Sequence, residues 1–325
     1  MNGNYTYEFE DWLARRNHQP YAVTCHSGTQ ALEIIAEWYQ SRSGFIPPTV
    51  AVPTLTYPAT LNAFVRAGWN LHIVDTDRYG VMDLSCLGHN TDIQAICGVG
   101  LYGQSVADMT QSLWALTHPI IEDGAQHWLS NDCKRIGDCA ISFDPTKNLA
   151  NYGNGGAVIT VNQGLRDFAR NWISNGKYTK HAETGTNSRM SEIDCAQMLV
   201  KTRYIDQWQQ RRRTIAQHWI EMLKKHPAIT CLIDDTNFDQ HCFHKFVIHA
   251  DKRDIIQRNL VLRGVETKVH YATPMHELPA YQHYPCPDLL SAGSSLARRC
   301  LSLPIYPELT DLEIEYIIDA VLDCV

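Results

Sequence analysis

Short apolar runs alternate with helical repeats through the first half of the chain. TVAV (49–52), LHIV (71–74), IQAIC (93–97), II (120–121) and the stretch at 140–143 are mostly apolar and of strand length. Between them, QALEIIAEWYQ (30–40), ATLNAFVRA (59–67) and residues 109–117 carry apolar positions at helical spacing. Strands that are apolar on both faces, separated by amphipathic helices, predict an α/β fold with a mostly parallel central sheet flanked by helices. GAVITV (156–161) adds a further strand after a glycine cluster.

The pattern changes near residue 190. A long helical repeat runs from Glu192 to about Lys225 and stops at KKHP, with Arg211, Arg212 and Arg213 reading as a solvated face. Beyond it come a strand (KFVIHA, 245–250), a helix (253–264), a strand (VETKVHY, 265–271), a loop with several prolines and a final helix (310–323). The reading is a large domain over 1–225 and a small C-terminal α+β domain over 226–325.

Composition narrows the function classes. A length of 325 residues suits two domains, and a net charge of −7 argues against nucleic-acid binding through a global field. The eleven cysteines include no C-x-x-C pair, and Cys133 and Cys139 lack zinc-ligand company, so they read as reduced thiols of a cytoplasmic protein. The N-terminal residues have no signal-peptide apolar region, and no run approaches membrane-span length.

Three stretches carry candidate chemistry. SGTQALEII (27–35) opens an amphipathic helix with small polar residues and a glycine, where free N–H groups favour a phosphate; taken alone, the triplet favours an ordinary N-cap. In IIEDGAQHW (120–128) an apolar strand ends at Glu122 and Asp123. Ligands of open α/β sheets bind beyond the carboxyl ends of the strands. A buried carboxylate there needs a cation, such as a protonated heterocycle nitrogen, unless it caps a turn. In ISFDPTKNLA (141–150), Ser142 lies in a strand and Lys147 follows a proline turn; taken alone, the lysine points to water. Together a phosphate site, a carboxylate for a ring nitrogen and a strand-end lysine match the needs of pyridoxal phosphate. One motif misleads: Gly98, Gly100 and Gly103 spell G-x-G-x-x-G, but the helical pattern begins only near Met109, so the third glycine does not open the helix that a dinucleotide site requires.

The chain resembles the DegT–StrS family of nucleotide-sugar aminotransferases. The resemblance rests on SGTQAL (27–32), VPTLTYPATLNAFVRAG (52–68), LYGQSVADM (101–109), IEDGAQ (121–126), ISFDPTKNL (141–149), the glycine cluster before AVIT (157–160), GTNSRMSEIDCAQ (185–197) and LSLPIYPELT (301–310). It implies the type I pyridoxal-phosphate fold. It makes Lys147 the Schiff-base and proton-shuttling lysine, Asp123 the partner of the ring nitrogen, and Gln126 a neighbour of the ring hydroxyl. Gly28, Thr29 and Ser142 would contact the phosphate and Tyr57 would stack on the ring. Asn187 would reach the phosphate of the other subunit, which implies a homodimer with shared sites. VHYATPMHELPAY (269–281) is similar to the sugar-facing segment, making Tyr271 and His276 substrate contacts, and Arg189 is a candidate for the donor carboxylate. Asn154 and Asp144 depart from the family's acidic and aromatic residues, and fewer residues than usual precede the S-G-T turn.

The implied reaction moves an amino group from an amino acid, glutamate by analogy, to the keto group of a nucleotide-linked sugar, with the cofactor alternating between pyridoxal and pyridoxamine phosphate. Lysine at 147 argues against the dehydratase branch, which carries histidine there. A non-sugar keto acceptor and a non-catalytic regulatory protein are the alternatives.

Overall fold

The structure, a computed structural model, describes residues 3–44, 47–88, 92–130, 135–224, 226–233, 235–287 and 290–325. Cys133 and Lys225 lie outside the described residues.

Strands β1 (Tyr21–Cys25), β2 (Thr49–Pro53), β3 (Asn70–Val74), β4 (Ala95–Val99), β5 (Ile120–Asp123), β6 (Asp138–Ser142) and β7 (Gly156–Thr160) form one sheet in the order β1-β7-β6-β5-β4-β2-β3. Pairings from β6 through β3 are parallel, and β7 runs antiparallel to both of its neighbours. Seven strands with one reversed member is the mostly parallel sheet that the apolar runs predict. β8 (Thr230–Cys231), β9 (Phe246–His249) and β10 (Cys300–Leu303) form a second, antiparallel sheet in the order β10-β9-β8.

Among the described residues, ten α-helices complete the fold: α1 (Asn4–Arg16), α2 (Gly28–Gln40), α3 (Pro58–Arg66), α4 (Leu113–Thr117), α5 (Gln163–Trp172), α6 (Glu192–Thr202), α7 (Ile205–Leu223), α8 (Arg253–Leu262), α9 (Ser291–Arg299) and α10 (Asp311–Asp323). Alternation along the strands divides the large core. Val23, Val50, Ile121 and Val158 pack with α2, α3 and α5 on one face. Ala22, Cys139, Ile141 and Ile159 pack with Phe9 and Leu13 of α1 and Met198 of α6 on the other. A separate core joins Trp219 of α7, Phe246 of β9 and Ile318 of α10. Among the described residues no helix is long and apolar enough to cross a membrane.

Several local expectations are corrected. The helix expected over 109–117 is a 3-10 turn followed by α4, because Ser112 is extended (φ −77°, ψ 144°) and its hydroxyl accepts from the Trp114 N–H. The repeat from 192 splits into α6 and α7 around Arg203 and Tyr204. The expected solvated face of α7 is wrong at two positions. Arg212 and Arg213 are 8% and 6% exposed. The Arg212 guanidinium donates to the carbonyls of Phe243 (3.1 Å) and Ile305 (2.7 Å). The strand expected over 265–271 is reduced to a single bridge between Lys268 and Ser302. Its side chains are committed elsewhere: Val265 enters the second core and Tyr271 faces the large domain.

Candidate active site

The carboxyl ends of β1, β2, β5 and β6 face one cleft of about 590 Å³, the position at which an open α/β sheet binds its ligand. Gly28, Thr29, Tyr57, Asp123, Gln126, Ser142, Lys147 and Tyr271 all line it. Eight of the candidate positions, separated by up to 243 residues in sequence, thus converge on one wall-to-wall site.

Ser27 caps α2. Its hydroxyl accepts from the Gln30 N–H (3.2 Å) and its carbonyl from the Ala31 N–H (3.0 Å). The preceding N–H groups, of Gly28 and Thr29, stand outside the helix ladder, as the first donors of any helix do. Ser142, the last residue of β6, lies against Gly28 so closely that a Cβ added at 28 would sit 2.6 Å from the Ser142 Cβ. Two free N–H groups and two hydroxyls around a space kept open by glycine make an anion cradle.

Asp123 ends β5 and is 6% exposed. Its Oδ2 accepts from the Thr60 hydroxyl (2.7 Å), itself bonded to that of Thr56 (2.8 Å), and its Oδ1 accepts from the Ala125 N–H (3.1 Å). Adjacent Glu122 points to the opposite side of the strand. It pairs with the Arg135 guanidinium and is hydrogen-bonded to His127 (2.7 Å) and to the Ile136 N–H (3.0 Å). Burial alone would raise the Glu122 pKa, but Arg135 and then His127 overcome this and hold it down at about 2. The two acids therefore differ: Glu122 has a built-in cation, whereas Asp123 makes no ion pair among the described residues and faces the cleft.

Lys147 follows β6 through a turn closed by its N–H on the Asp144 carbonyl (2.8 Å). The side chain is half-buried, and burial lowers its pKa below the ordinary lysine value against the opposing pull of Asp123 and Asp144. A larger neutral fraction is what a nucleophilic or basic amine needs. The Gln126 carboxamide accepts from the Tyr102 N–H (2.9 Å) and donates to the Tyr271 hydroxyl (3.4 Å). The Tyr57 and Tyr271 rings lie 5.9 Å apart, and Tyr57 is 57% exposed at the mouth.

Three candidates lie apart from the cleft. Asn187 and Arg189 are exposed on a loop outside it, Asn187 bridging to Ser174. The His276 ring is turned to the Thr54 hydroxyl (2.6 Å) and Glu277 (3.6 Å). The structure in turn brings in residues that the sequence did not single out. Thr60 positions Asp123. His244 and Lys245, from the segment leading into β9, line the cleft together with Lys147. Buried His244 is held neutral by desolvation and nearby lysines, its Nδ1 3.2 Å from the Asn148 Oδ1. A lysine opening an otherwise apolar strand, KFVIHA, was the available signal.

The wall bearing these two residues is fixed to the turn that follows β4. The Cys242 N–H donates to the Gly103 carbonyl (3.0 Å) and the Lys245 N–H to the Tyr102 carbonyl (2.9 Å). Gly103 has φ +112°, and a Cβ there would meet the Cys242 Sγ at 2.9 Å. The last glycine of G-x-G-x-x-G thus serves a turn and a close approach between domains, and the residues after it open no α-helix.

The donor set suits pyridoxal phosphate: an anion cradle, a buried carboxylate lacking a cation and a partly desolvated amine share one cleft. Known proteins agree. The profile of the DegT/DnrJ/EryC1/StrS aminotransferase family matches residues 1–322. The erythromycin biosynthesis sensory transduction protein EryC1 of Saccharopolyspora erythraea is 32% identical over 98% of this chain and 89% of its own. The dTDP-3-amino-3,4,6-trideoxy-alpha-D-glucose transaminase of Streptomyces venezuelae is 32% identical over 96% of this chain and 85% of its own. The crystal structure of S. venezuelae DesV in complex with a ketimine intermediate superposes with a TM-score of 0.91 at 30% identity, covering 99% of this chain and 90% of that one. The fold is accordingly the type I pyridoxal-phosphate transferase fold, and the chain belongs to the DegT/DnrJ/EryC1/StrS aminotransferase family.

Proposed function

We propose that this chain is a pyridoxal-phosphate-dependent aminotransferase that moves an amino group from an amino acid, glutamate by analogy, to the keto group of a nucleotide-linked sugar. The observation that carries the reading is the pairing, in one cleft, of a buried carboxylate without a cation (Asp123) and a half-buried lysine of lowered pKa (Lys147). The sugar acceptor is supported by relatives named for dTDP- and UDP-linked amino sugars.

When bound, pyridoxal phosphate supplies an electron sink for the carbon that loses its proton. Lys147 anchors the cofactor, and its Nζ takes the proton from the donor's α-carbon and returns one to the acceptor carbon. Asp123, held by Thr60 and the Ala125 N–H, presents its charge to the ring nitrogen. Gln126 faces the ring hydroxyl, Tyr57 covers the ring, and Gly28, Thr29 and Ser142 hold the phosphate. Tyr271, hydrogen-bonded to Gln126, contacts the sugar.

The assembly is a homodimer in which Asn187, exposed outside its own chain's cleft, reaches the partner's phosphate site. Arg189 on the same loop and His276 beside Thr54 are rim contacts for substrate in that assembly. The large domain spans 1–225 and the small domain 226–325, with α7 connecting them. The protein works in the cytoplasm.

Lys147→Arg keeps a cation but forms no covalent link, so turnover should vanish along with the visible absorbance of the cofactor-loaded protein. Borohydride reduction and peptide mapping should find the pyridoxyl adduct at residue 147; an adduct elsewhere would overturn the assignment. EryC1 carries a sensory-transduction name, which favours a regulatory role as the second reading. Conversion of bound cofactor to the pyridoxamine form on adding glutamate separates the two.

A further inference from the structure

Lys245 enters the cleft from the small domain, one residue before β9. Its side chain is half-buried and has no ion-pair or hydrogen-bond partner among the described residues. Its charged neighbours are unfavourable: Lys147, Arg212 and Lys268 act against its charge, and Asp144 alone acts for it. Burial first, and Lys147 next, pull its pKa down to about 8. The backbone bond to the Tyr102 carbonyl prevents the residue from drifting toward solvent.

The amine also stands at a junction. A second cleft of about 750 Å³ continues past Lys147, His244, Lys245 and His270, so Lys245 lines both spaces. His244 and His270 are pushed toward their neutral forms, His270 to about 4, by burial and these lysines. A half-buried cation held among cations is unfavourable until an anion meets it. The chemistry of the reaction limits which anion. The donor's α-carbon must come within reach of the Lys147 Nζ, which leaves its α-carboxylate one bond away, inside the cleft that Lys245 also lines. A keto sugar has hydroxyl-bearing carbons at that distance, and its phosphates lie beyond the ring. Arg189 lies outside its own chain's cleft, and in the proposed dimer it stands at the rim of the partner's site, not on the wall that carries Lys147.

We propose that the Lys245 ammonium, presented by the small domain beside Lys147, receives the α-carboxylate of the amino-acid donor and so acts as a donor-binding residue. The inference rests on the aminotransferase reading and deepens it.

The test uses the cofactor-loaded protein with glutarate, an unreactive dicarboxylate, as the binding probe, followed by each half-reaction in single turnover. In Lys245→Met, or Lys245→Gln should the methionine variant not fold, glutarate affinity should fall about 10- to 100-fold, the range for a lost charged hydrogen bond. The half-saturating glutamate concentration should rise by a similar factor, while amination of a nucleotide keto sugar from the pyridoxamine form stays within about threefold of wild type. Lys245→Arg should recover most of the affinity. Equal glutarate affinity in wild type and variant overturns the inference. A loss confined to the acceptor half-reaction assigns Lys245 to a phosphate and also overturns it. If glutarate binding depends on Lys245 but no amino group is transferred by the wild-type protein, the anion receptor stands and the aminotransferase reading falls.

Discussion

Replacing Gly28 by alanine tests the anion cradle directly. The new Cβ would lie 2.6 Å from the Ser142 Cβ and 3.1 Å from its Cα and Oγ. Carbon pairs prefer about 3.5–4.0 Å, so α2 and β6 must separate by roughly 1 Å. No alternative escape exists on the neighbouring strand. Gly156 pairs with Ser142 and itself lies so close to Ser27 that a Cβ there would meet the Ser27 carbonyl carbon at 2.3 Å. Overpacking of this kind costs about 1–3 kcal/mol. Alanine lowers the entropy of the unfolded chain and returns about 0.4–1 kcal/mol. Net destabilisation of about 0–2.6 kcal/mol is expected. The larger effect falls on ligand affinity, because the displaced groups are the proposed phosphate contacts: a spectrophotometric titration with pyridoxal phosphate should show at least about tenfold weaker binding. Gly153→Ala is the internal control. A Cβ there has no neighbour within 4 Å, so stability should stay within about 0.5 kcal/mol and affinity should be unchanged. Wild-type affinity and urea midpoint in Gly28→Ala, measured beside that control, would refute the reasoning.

Asp123→Asn should fold with a loss below about 2 kcal/mol, since its amide can still accept from the Ala125 N–H and pair with the Thr60 hydroxyl. Its turnover should fall by about 100-fold or more, and a variant with wild-type steady-state rates would remove Asp123 from the mechanism. Glu122 makes acid stability predictable. Its folded pKa of about 2 lies below the ordinary glutamate value of 4.5, so its contribution is complete above the unfolded value and is lost as pH falls from about 4.5 toward 2. Urea midpoints across that window should drop more steeply in the wild type than in Glu122→Gln, and parallel curves would contradict the buried ion pair.

The large sheet was legible because its strands are buried on both faces, and continuous apolar runs record that fact without reference to the rest of the chain. The placement of the S-G-T turn, Asp123 and Lys147 around one cleft was legible for a related reason: each sits at or just beyond a strand or helix end, where local sequence sets the geometry. Other features depend on distant partners. Arg212 reads as a surface residue until the Phe243 and Ile305 carbonyls arrive to satisfy it. The segment over 265–271 alternates like a strand, yet its one bridge is to Ser302 and its remaining residues are divided between a core and the cleft. Thr60 belongs to α3 and resembles any helix threonine until β5 places a carboxylate 2.7 Å away. Lys245 is the extreme case, since its significance lies in Lys147, 98 residues earlier.

The attachment of residues 242–245 to Gly103 and Tyr102 governs how selectivity can evolve. Asn148, next to Lys147, adds its own bond to the Cys242 carbonyl (2.9 Å), and Gln104 adds one to the Leu232 carbonyl (2.6 Å). Moving residues 242–245 away at this point would break all of these bonds at once. An insertion or deletion that lengthens or shortens the turn at 102–104 would therefore also displace His244 and Lys245 in the cleft, so the two segments are constrained to change together.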